Sequence, residues 1–358
     1  MLTLAAYTLD LPAYACARLR LVGPAAALAG RVTLRLGAVS DGRDYAISPE
    51  AMDGADLIVF QRYFPMAETW PLVEQALGSG RPVVYDLDDN FLALPGDHPM
   101  RERLAPVAPY VRKLLARADL VTVSSPELAR AFAGITRKTA VLPNFLEEGL
   151  WARGGLSRAD AAAPAPRDPQ SPPGPAGPVR IVFAGTSSHA SDLALVAPAL
   201  ARVKERFGEG VEFVFLGCPA PGELQGRGAR TLPFGEDYAG YARTLAGLSP
   251  DIGIAPLADN PFNRCKSAVK WLEYSALGVP GVYADLPPYA PVRSGATGFK
   301  AGGGAPAWER ELTRLVEDAD LRLRIGHGAR AEVLAHWGLR RGAEGYYTVW
   351  RRAADAGA

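Results

Sequence analysis

Three aspartates follow one another closely at the end of an apolar run. In the segment 81–95, RPVVYDLDDNFLALP, Asp86, Asp88 and Asp89 lie within four residues. Carboxylates at the end of a strand can bind a metal ion, attack phosphorus, act as a general base, or accept backbone N–H groups in a turn. Because neighbouring carboxylates repel one another, a cation or hydroxyl donors must stabilise them. The spacing alone leaves these four roles open.

A second candidate site lies in the segment 263–280, NRCKSAVKWLEYSALGVP. Ser267 is a favourable N-cap residue and Gly278 is a stop signal, so the spacing predicts a helix over roughly 268–277. Lys270 would then lie in the first turn, where the helix dipole already contributes about half a positive charge. An anion bound at this end would explain a lysine there.

Further residues favour an anionic ligand. Lys266 precedes the predicted helix, whose free backbone N–H groups also attract anions. An exposed Lys270–Glu273 pair is the alternative, and would stabilise the helix by only a few tenths of a kcal/mol. The loop 185–191 would let a ligand approach the backbone closely, and its His189 could donate to a phosphate or sugar oxygen. The loop lacks the GxGxxG and P-loop spacings, so neither a dinucleotide dehydrogenase nor an NTPase is indicated.

Strand-like and helix-like runs alternate in both halves of the chain. The apolar runs include DLIVF (56–60), PVVYD (82–86), VRIVFAG (179–185) and VEFVFLG (211–217). Continuous apolar strands alternating with helices predict an α/β protein with doubly wound parallel sheets. Ligands of such sheets bind beyond the carboxyl ends of the strands, where the three aspartates would lie. We expect them to face a cleft between two domains.

One composition break divides the chain. Residues 152–178 hold seven prolines and four glycines and show no apolar period. We therefore predict four parts: an N-terminal Rossmann-like domain, a Pro/Ala/Gly-rich linker, a C-terminal Rossmann-like domain, and a C-terminal helix that packs back on the first domain. Their bounds are 1–150, 151–178, 179–335 and 336–358.

Composition excludes several classes of protein. A net charge of +1 over 358 residues gives no overall electrostatic case for binding nucleic acid. No apolar run is long enough to span a membrane, and the first residues lack the basic segment of a signal peptide. Three widely spaced cysteines argue against disulfides and zinc and fit a cytoplasmic protein. The basic, aromatic stretch 339–353 would pack across both domains, or alternatively contact the inner face of a membrane.

A resemblance to a known family covers nearly the whole chain. The string K-S-x-x-K-x-x-E-Y-x-x-x-G-x-P, which begins at Lys266, resembles the donor-site helix of GT-B glycosyltransferases, especially family four of the bacterial surface-polysaccharide type. Further segments resemble the same group in the expected order: VTVSSPELA (121–129), VLPNF (141–145), FAGTSSHASDL (183–193), SPDIGIAPLADNPFN (249–263) and TGFKAGG (297–303).

The resemblance implies a fold and an activity. The fold would be GT-B, with two Rossmann-like domains facing across a cleft. The activity would be transfer of a sugar from a nucleotide-diphosphate donor to a glycan or a lipid-linked acceptor, without a metal or other cofactor and with retention of anomeric configuration. Such a protein would serve cell-surface polysaccharide biosynthesis in the cytoplasm, with peripheral membrane contact as an option.

The resemblance also assigns donor-site residues. It places Glu273 at the nucleotide ribose and the loop of Gly185, Thr186 and His189 near the diphosphate, with Ser267 in the same site. The chain departs from the family at Cys265, where the first glutamate of an E-x7-E pair is usual. Its sugar contact therefore cannot be carried over to this chain. Lys266 and Lys270 become the candidates for stabilising the diphosphate.

In this interpretation the aspartates bind the acceptor. Arg62, Asp86, Asp88 and Asp89 are the predicted acceptor-binding residues, and Asp88 and Asp89, with Lys266, are the predicted catalytic ones.

Two alternatives stay open. VVYDLDDN also resembles the first motif of haloacid-dehalogenase-type phosphatases, although Asn90 replaces the usual threonine and some eighty residues precede it. The second alternative is a non-catalytic sugar-nucleotide-binding module, because the glutamate usual at position 265 is missing.

Overall fold

The computed structural model describes residues 1–40, 44–151, 177–235 and 237–356. The predicted linker, 151–178, falls outside these ranges except at its ends. The described chain divides into two compact units. The first unit comprises Met1–Glu147, Asn260–Ser267 and Gly338–Ala358, and the second comprises Glu148–Asp259 and Ala268–Trp337.

The first unit is built on a six-stranded parallel sheet with the strand order β2-β1-β5-β6-β7-β8. A small antiparallel hairpin, β3–β4, accompanies it. The strands are β1 (Leu2–Tyr7), β2 (Val32–Leu36), β3 (Ala38–Ser40), β4 (Tyr45–Ile47), β5 (Leu57–Gln61), β6 (Val83–Leu87), β7 (Leu120–Val123) and β8 (Thr139–Val141).

The second unit has a parallel sheet of the same size, with the order β11-β10-β9-β12-β13-β14. Its strands are β9 (Val179–Ala184), β10 (Val211–Leu216), β11 (Arg230–Leu232), β12 (Ile252–Ala255), β13 (Gly281–Ala284) and β14 (Phe299–Ala301). Two doubly wound parallel sheets confirm the predicted α/β class.

Helices connect the strands of both sheets. They are α1 (Ala15–Ala17), α2 (Gly23–Ala27), α3 (Trp70–Leu77), α4 (Arg101–Leu104), α5 (Ala108–Arg117), α6 (Pro126–Phe132), α7 (Glu148–Trp151), α8 (Ala190–Phe207), α9 (Tyr238–Gly247), α10 (Pro261–Arg264), α11 (Val269–Ala276), α12 (Ala305–Glu317), α13 (Ala319–His336) and α14 (Leu339–Asp355). Within the described ranges, no helix is both long enough and apolar enough to cross a bilayer.

Alternating strand residues build two cores on the first sheet. Ile58 and Phe60 of β5 point into one cluster, whereas Val59 points into the other. The second cluster also holds Tyr346 and Trp350, four residues apart on α14, as expected for one face of a helix. The C-terminal helix therefore covers one face of the first sheet.

The division into units differs from the predicted domain bounds at 148–150 and 336–337, which belong to the second unit, and at one longer segment. Residues 260–267 were expected in the C-terminal domain but belong to the first unit. Cys265 is buried in the first core, and its carbonyl accepts a 2.7 Å hydrogen bond from Ser125 Oγ. These contacts attach the segment to the first sheet although it is distant in sequence.

Each sheet has a point where the winding of the chain reverses. In the first sheet this point lies between β1 and β5, and in the second it lies between β9 and β12. Doubly wound sheets bind ligands beyond the carboxyl ends of the strands at such switch points. The candidate sites are therefore the residues just after these four strands.

Candidate active site

The loop after β9 requires glycine at its first position. A methyl group on Gly185 would lie 2.8 Å from the ring of Phe183, too close for a real Cβ, and 3.1 Å from His189 Cδ2, so both rings would have to shift. The loop continues through a 3-10 turn, Ser187–His189, directly into α8. The backbone at Gly185, which carries no side chain, therefore lies just before the N-terminus of an 18-residue helix. Such a helix N-terminus is a favourable place for a phosphate.

A buried aspartate holds the two loops of this switch point together. Asp192 Oδ2 lies 2.7 Å from His189 Nδ1, and its Oδ1 accepts a 2.7 Å hydrogen bond from the Ala258 backbone N–H. Ala258 follows β12, so Asp192 connects the segments after β9 and β12. The contact fixes the orientation of the His189 ring. Asp192 was not among the residues predicted from the sequence. Its place three residues after His189, in the first turn of a helix, indicates that the two side chains can meet.

Helix α11 packs against the same switch point. The Tyr274 hydroxyl accepts a 3.0 Å hydrogen bond from the Ala184 backbone N–H, one residue before Gly185. The hydroxyl also lies 3.3 Å from the Ile254 carbonyl oxygen of β12. The two predicted donor-site elements, the glycine loop and this helix, are thus joined at one place within the second unit.

The ends of α11 bear out one local prediction and correct another. Gly278 has φ +71°, and the Val279 N–H donates to the Tyr274 carbonyl at 2.9 Å, so the predicted stop is confirmed. The predicted N-cap is wrong. Ala268 occupies that position, and Ser267 Oγ instead accepts a 3.0 Å hydrogen bond from Asn144 Nδ2 in the first unit.

Glu273 is buried and not part of an exposed pair. Only 3% of the residue is exposed, and its two oxygens accept hydrogen bonds from Tyr238 Oη at 3.1 Å and Tyr241 Oη at 2.7 Å. Burial raises the pKa of Glu273, against the opposing effects of Lys270 and the two tyrosine hydroxyls. Each carboxylate oxygen can still accept a second hydrogen bond. The alternative of a solvated Lys270–Glu273 pair is therefore wrong. The sequence interpretation also missed both tyrosines, which lie three apart on α9.

Asp86 belongs to the scaffold of the first unit. Its Oδ1 lies 2.6 Å from Arg20 Nη2 and accepts a 2.7 Å hydrogen bond from Thr122 Oγ1, while Oδ2 accepts a 3.1 Å bond from Arg20 Nε. The whole group is buried, so the predicted acceptor contact of Asp86 does not fit the structure. The phosphatase-like alternative is weakened for the same reason, because Asp86 would be its attacking residue.

Arg20 was not predicted as a site residue from the sequence, and it lies in an unusual turn. A π-helical turn, Arg18–Val22, links α1 to α2 and is often associated with functional sites. Burial by itself would lower the pKa of Arg20, but the adjacent Asp86 carboxylate more than offsets this and the pKa is raised.

The other two aspartates surround Arg62 at the first switch point. Arg62, the first residue after β5, places Nη1 2.5 Å from Asp88 Oδ1 and 3.6 Å from Asp89 Oδ2. Its Nε lies 2.9 Å from Asp10 Oδ2, three residues beyond β1. On the other side, Lys266 Nζ lies 3.5 Å from Asp89 Oδ1. Positive and negative groups therefore alternate through the site. Arg62 and Lys266 are the cations that stabilise the neighbouring aspartates.

Arg62 has a strained backbone. Its φ of +56° lies in the left-handed region, which costs a non-glycine residue on the order of 1–3 kcal/mol. The Tyr85 hydroxyl donates to the Arg62 carbonyl at 2.5 Å, and the Arg62 N–H donates to the Asp86 carbonyl at 2.9 Å. These bonds hold the strained residue so that its guanidinium reaches the carboxylates.

A cavity of about 550 Å³ opens beside this cluster within the first unit. Asp10 and Tyr63 line it, together with the exposed rings of Tyr14 and Tyr45. Tyr63 Oη donates a 2.7 Å hydrogen bond to Asp10 Oδ1, which connects the cavity wall to Arg62. Flat aromatic surfaces with a few convergent polar groups suit a small polar ligand.

Cys265 occupies a core position at the site of the expected glutamate. Its Sγ lies 3.7 Å from Asn90 Nδ2, and only 4% of the residue is exposed. The neighbouring Lys266 points the other way, with Nζ 4.6 Å from the centre of the Phe262 ring. In the part of the chain that the structure describes, no three His, Cys, Asp or Glu side chains are grouped so that they could hold a metal ion.

The two six-stranded parallel sheets match those of solved GT-B structures, so the predicted GT-B fold is confirmed. Three solved structures with this fold match the chain over nearly its whole length. Sucrose-phosphate synthase from Thermosynechococcus elongatus has a TM-score of 0.71 at 15% identity, covering 99% of this chain and 100% of that one. HepE from Anabaena, in complex with UDP, has a TM-score of 0.65 at 16% identity, covering 98% and 100%.

The third is a glycosyltransferase from Rickettsia africae, with a TM-score of 0.63 at 11% identity and 98% coverage of both chains. At these identities the likeness shows the fold. No protein-family model and no curated protein sequence matches the chain.

Proposed function

We propose that the protein is a glycosyltransferase that uses a nucleotide-diphosphate sugar. The observation that carries the proposal is the hydrogen bond between Tyr274 and Ala184, which joins the glycine loop to the Glu273 helix at one switch point. Both elements were assigned to the donor site from the sequence. A glycosyltransferase from Rickettsia africae has the same fold.

The donor would bind the second unit with its diphosphate at the glycine loop. Gly185, Thr186 and the N-terminus of α8 offer backbone N–H groups, and His189, held by Asp192, offers its ring. Lys270 in the first turn of α11 adds a positive charge. HepE was solved with UDP and with UDP-glucose, so these are the first ligands to test.

Glu273 would accept hydrogen bonds from the ribose hydroxyls. Its oxygens are already held in place by Tyr238 and Tyr241, so little conformational entropy is lost when a ligand binds. Ser267 is not assigned a donor contact in this proposal, because its Oγ already accepts a hydrogen bond from Asn144.

Catalysis would consist mainly of stabilising the departing diphosphate. Lys266 and Lys270 are the proposed cations for this charge, and no metal ion is needed in the proposed mechanism. Asp88 or Asp89 would accept a hydrogen bond from the attacking acceptor hydroxyl, with Arg62 keeping both carboxylates in place. Transfer would retain the anomeric configuration.

The acceptor would be a saccharide, either a growing glycan or a lipid-linked one. Support comes from the cavity beside Asp10, whose walls carry tyrosine rings and a carboxylate. A place in cell-surface polysaccharide biosynthesis in the cytoplasm remains part of the proposal.

The test is release of UDP from UDP-glucose, followed with and without candidate saccharides. The enzyme hypothesis expects slow release alone and faster release with an acceptor. The non-catalytic alternative is favoured by the buried Cys265 at the glutamate position, and expects calorimetric binding of UDP-glucose without any release. Failure to bind UDP, UDP-glucose and the other common nucleotide sugars would overturn both.

A further inference from the structure

A cavity of about 610 Å³ lies at the edge of the first sheet opposite to the aspartates. Arg81 precedes β6 and Lys138 precedes β8, so both lie at the amino ends of their strands. Arg81 and Asp88 are separated by the length of β6, roughly 20 Å at about 3.3 Å per residue. The cavity is therefore separate from the proposed active site, and a ligand bound there would be independent of the proposed function.

Four cations from three distant segments line this cavity: Arg81, Arg137, Lys138 and Arg352. None of them forms an ion pair with a carboxylate among the residues that the structure describes. The lining includes one acid, Asp119, whose Oδ2 accepts a 2.8 Å hydrogen bond from the Val83 backbone N–H. The cavity thus carries an excess of three positive charges that no described carboxylate balances.

Strand pairing brings these cations together. Val84 of β6 pairs with Leu120 of β7, and Val121 pairs with Thr139 of β8, so the residues before these strands are neighbours at one edge. The remaining cation comes from α14. Arg137, Lys138 and Arg352 are exposed, so solvent screens part of the repulsion among these like charges, and a bound anion would relieve the rest.

We infer that this cavity binds a phosphate-bearing ligand. Its size falls in the range of small-molecule sites, and arginine forks match phosphate oxygens in pairs. Leu77 and Val349 give it an apolar wall, so the ligand would carry an apolar part beside its phosphate. Such chemistry is found in a free phosphorylated metabolite and in the headgroup region of an anionic lipid.

Two arms distinguish these sources. In the first, the full chain is titrated calorimetrically with inorganic pyrophosphate. In the second, it is sedimented with phosphatidylcholine vesicles containing about one-quarter phosphatidylglycerol, at low and at physiological salt. The cavity variant is R137Q/R352Q, and the matched control is R112Q/R341Q, which removes the same charge from exposed positions outside the cavity.

If the source is a free phosphate, the cavity variant should lose about tenfold in pyrophosphate affinity and the control less than about twofold. If it is a lipid, vesicle binding should fall in the cavity variant only and weaken with salt. All three proteins would still bind pyrophosphate at the proposed donor site. That binding is therefore distinguished from binding in the cavity, which only the cavity variant loses.

Equal binding by native protein, cavity variant and control in both arms would overturn the inference, as would no binding in either. If the Arg352 substitution disturbs α14, the variant R137Q/K138Q makes the same comparison without it.

Discussion

Lys266 Nζ lies 3.5 Å from Asp89 Oδ1, so a residue predicted for the donor and a residue predicted for the acceptor form one ion pair. About a fifth of each side chain is exposed, and such a pair contributes only about 1 kcal/mol or less to stability. The pair is therefore a minor part of the fold's stability, and we predict a role for it in transfer. Replacing either residue should alter the position of the other.

The first prediction concerns this coupling. K266M and D89N should each lower the transfer rate, and the double variant should be less impaired than the product of the single effects, because each single change leaves one partner unbalanced. K266M should also weaken UDP much more than uridine. The measurements are a double-mutant cycle in transfer rate and calorimetric titration. Fully multiplicative effects would show that the pair is not coupled in catalysis.

The second prediction concerns Glu273. E273A should weaken UDP binding by about tenfold to a hundredfold, because charge-assisted bonds to the ribose are lost. The ribose-specific part of the loss should disappear for a UDP analogue without ribose hydroxyls. E311Q is the control, since Glu311 is also buried in the second unit but lies on α12, between Arg310 and Arg314. A change in UDP affinity as large in the control as in E273A would argue against a ribose contact.

The third prediction concerns pH. The pKa of Glu273 is raised in the folded state, so folding is favoured by protonation of this group. Its contribution is fully present below the unfolded pKa of a glutamate and is lost as the pH rises through the folded value. E273Q removes this titration, so its unfolding free energy should improve relative to native protein as the pH is raised from acid to neutral. Denaturant unfolding at several pH values measures the difference, and a constant difference would contradict the shift.

The fourth prediction concerns Asp88. D88N should depress sugar transfer, because it weakens the ion pair with Arg62 and the proposed acceptor contact, while UDP affinity stays nearly unchanged. D97N is the control, because Asp97 is an exposed aspartate of the same unit. Added EDTA should leave transfer intact. Loss of activity with EDTA and recovery with magnesium would instead indicate a metal-dependent site.

The fifth prediction separates Asp86 from its neighbours. D86N should destabilise the protein by about 3–5 kcal/mol, since it leaves Arg20 buried without its counter-charge. E147Q breaks the partly exposed Arg18–Glu147 pair and should cost about 1 kcal/mol or less. Denaturant titration compares the two. A small effect of D86N would place Asp86 back among the candidate site residues.

Local patterns in the sequence predicted most strands of both sheets, but not β1, β2, β11 or β14. Runs of apolar residues predicted those strands, because a parallel sheet is buried on both faces. Gly278 marked the end of α11, because the left-handed conformation there is available to glycine at little cost. The alternation of strands and helices then fixed the α/β class. Each of these signals acts over a few residues and can be read without knowing the fold.

Tertiary structure decided which side chains meet. Ser267 had the chemistry of an N-cap, but Asn144 binds its hydroxyl, and Ala268 takes the capping position. Asp86 had the same local setting as Asp88, yet of these two aspartates it is Asp86 that binds Arg20, 66 residues away. Such partners depend on strand order and on which end of a strand a loop leaves from. Because no short-range spacing encodes that order, the sequence by itself determined the candidate residues, and the fold decided which of them serve the scaffold and which remain for chemistry.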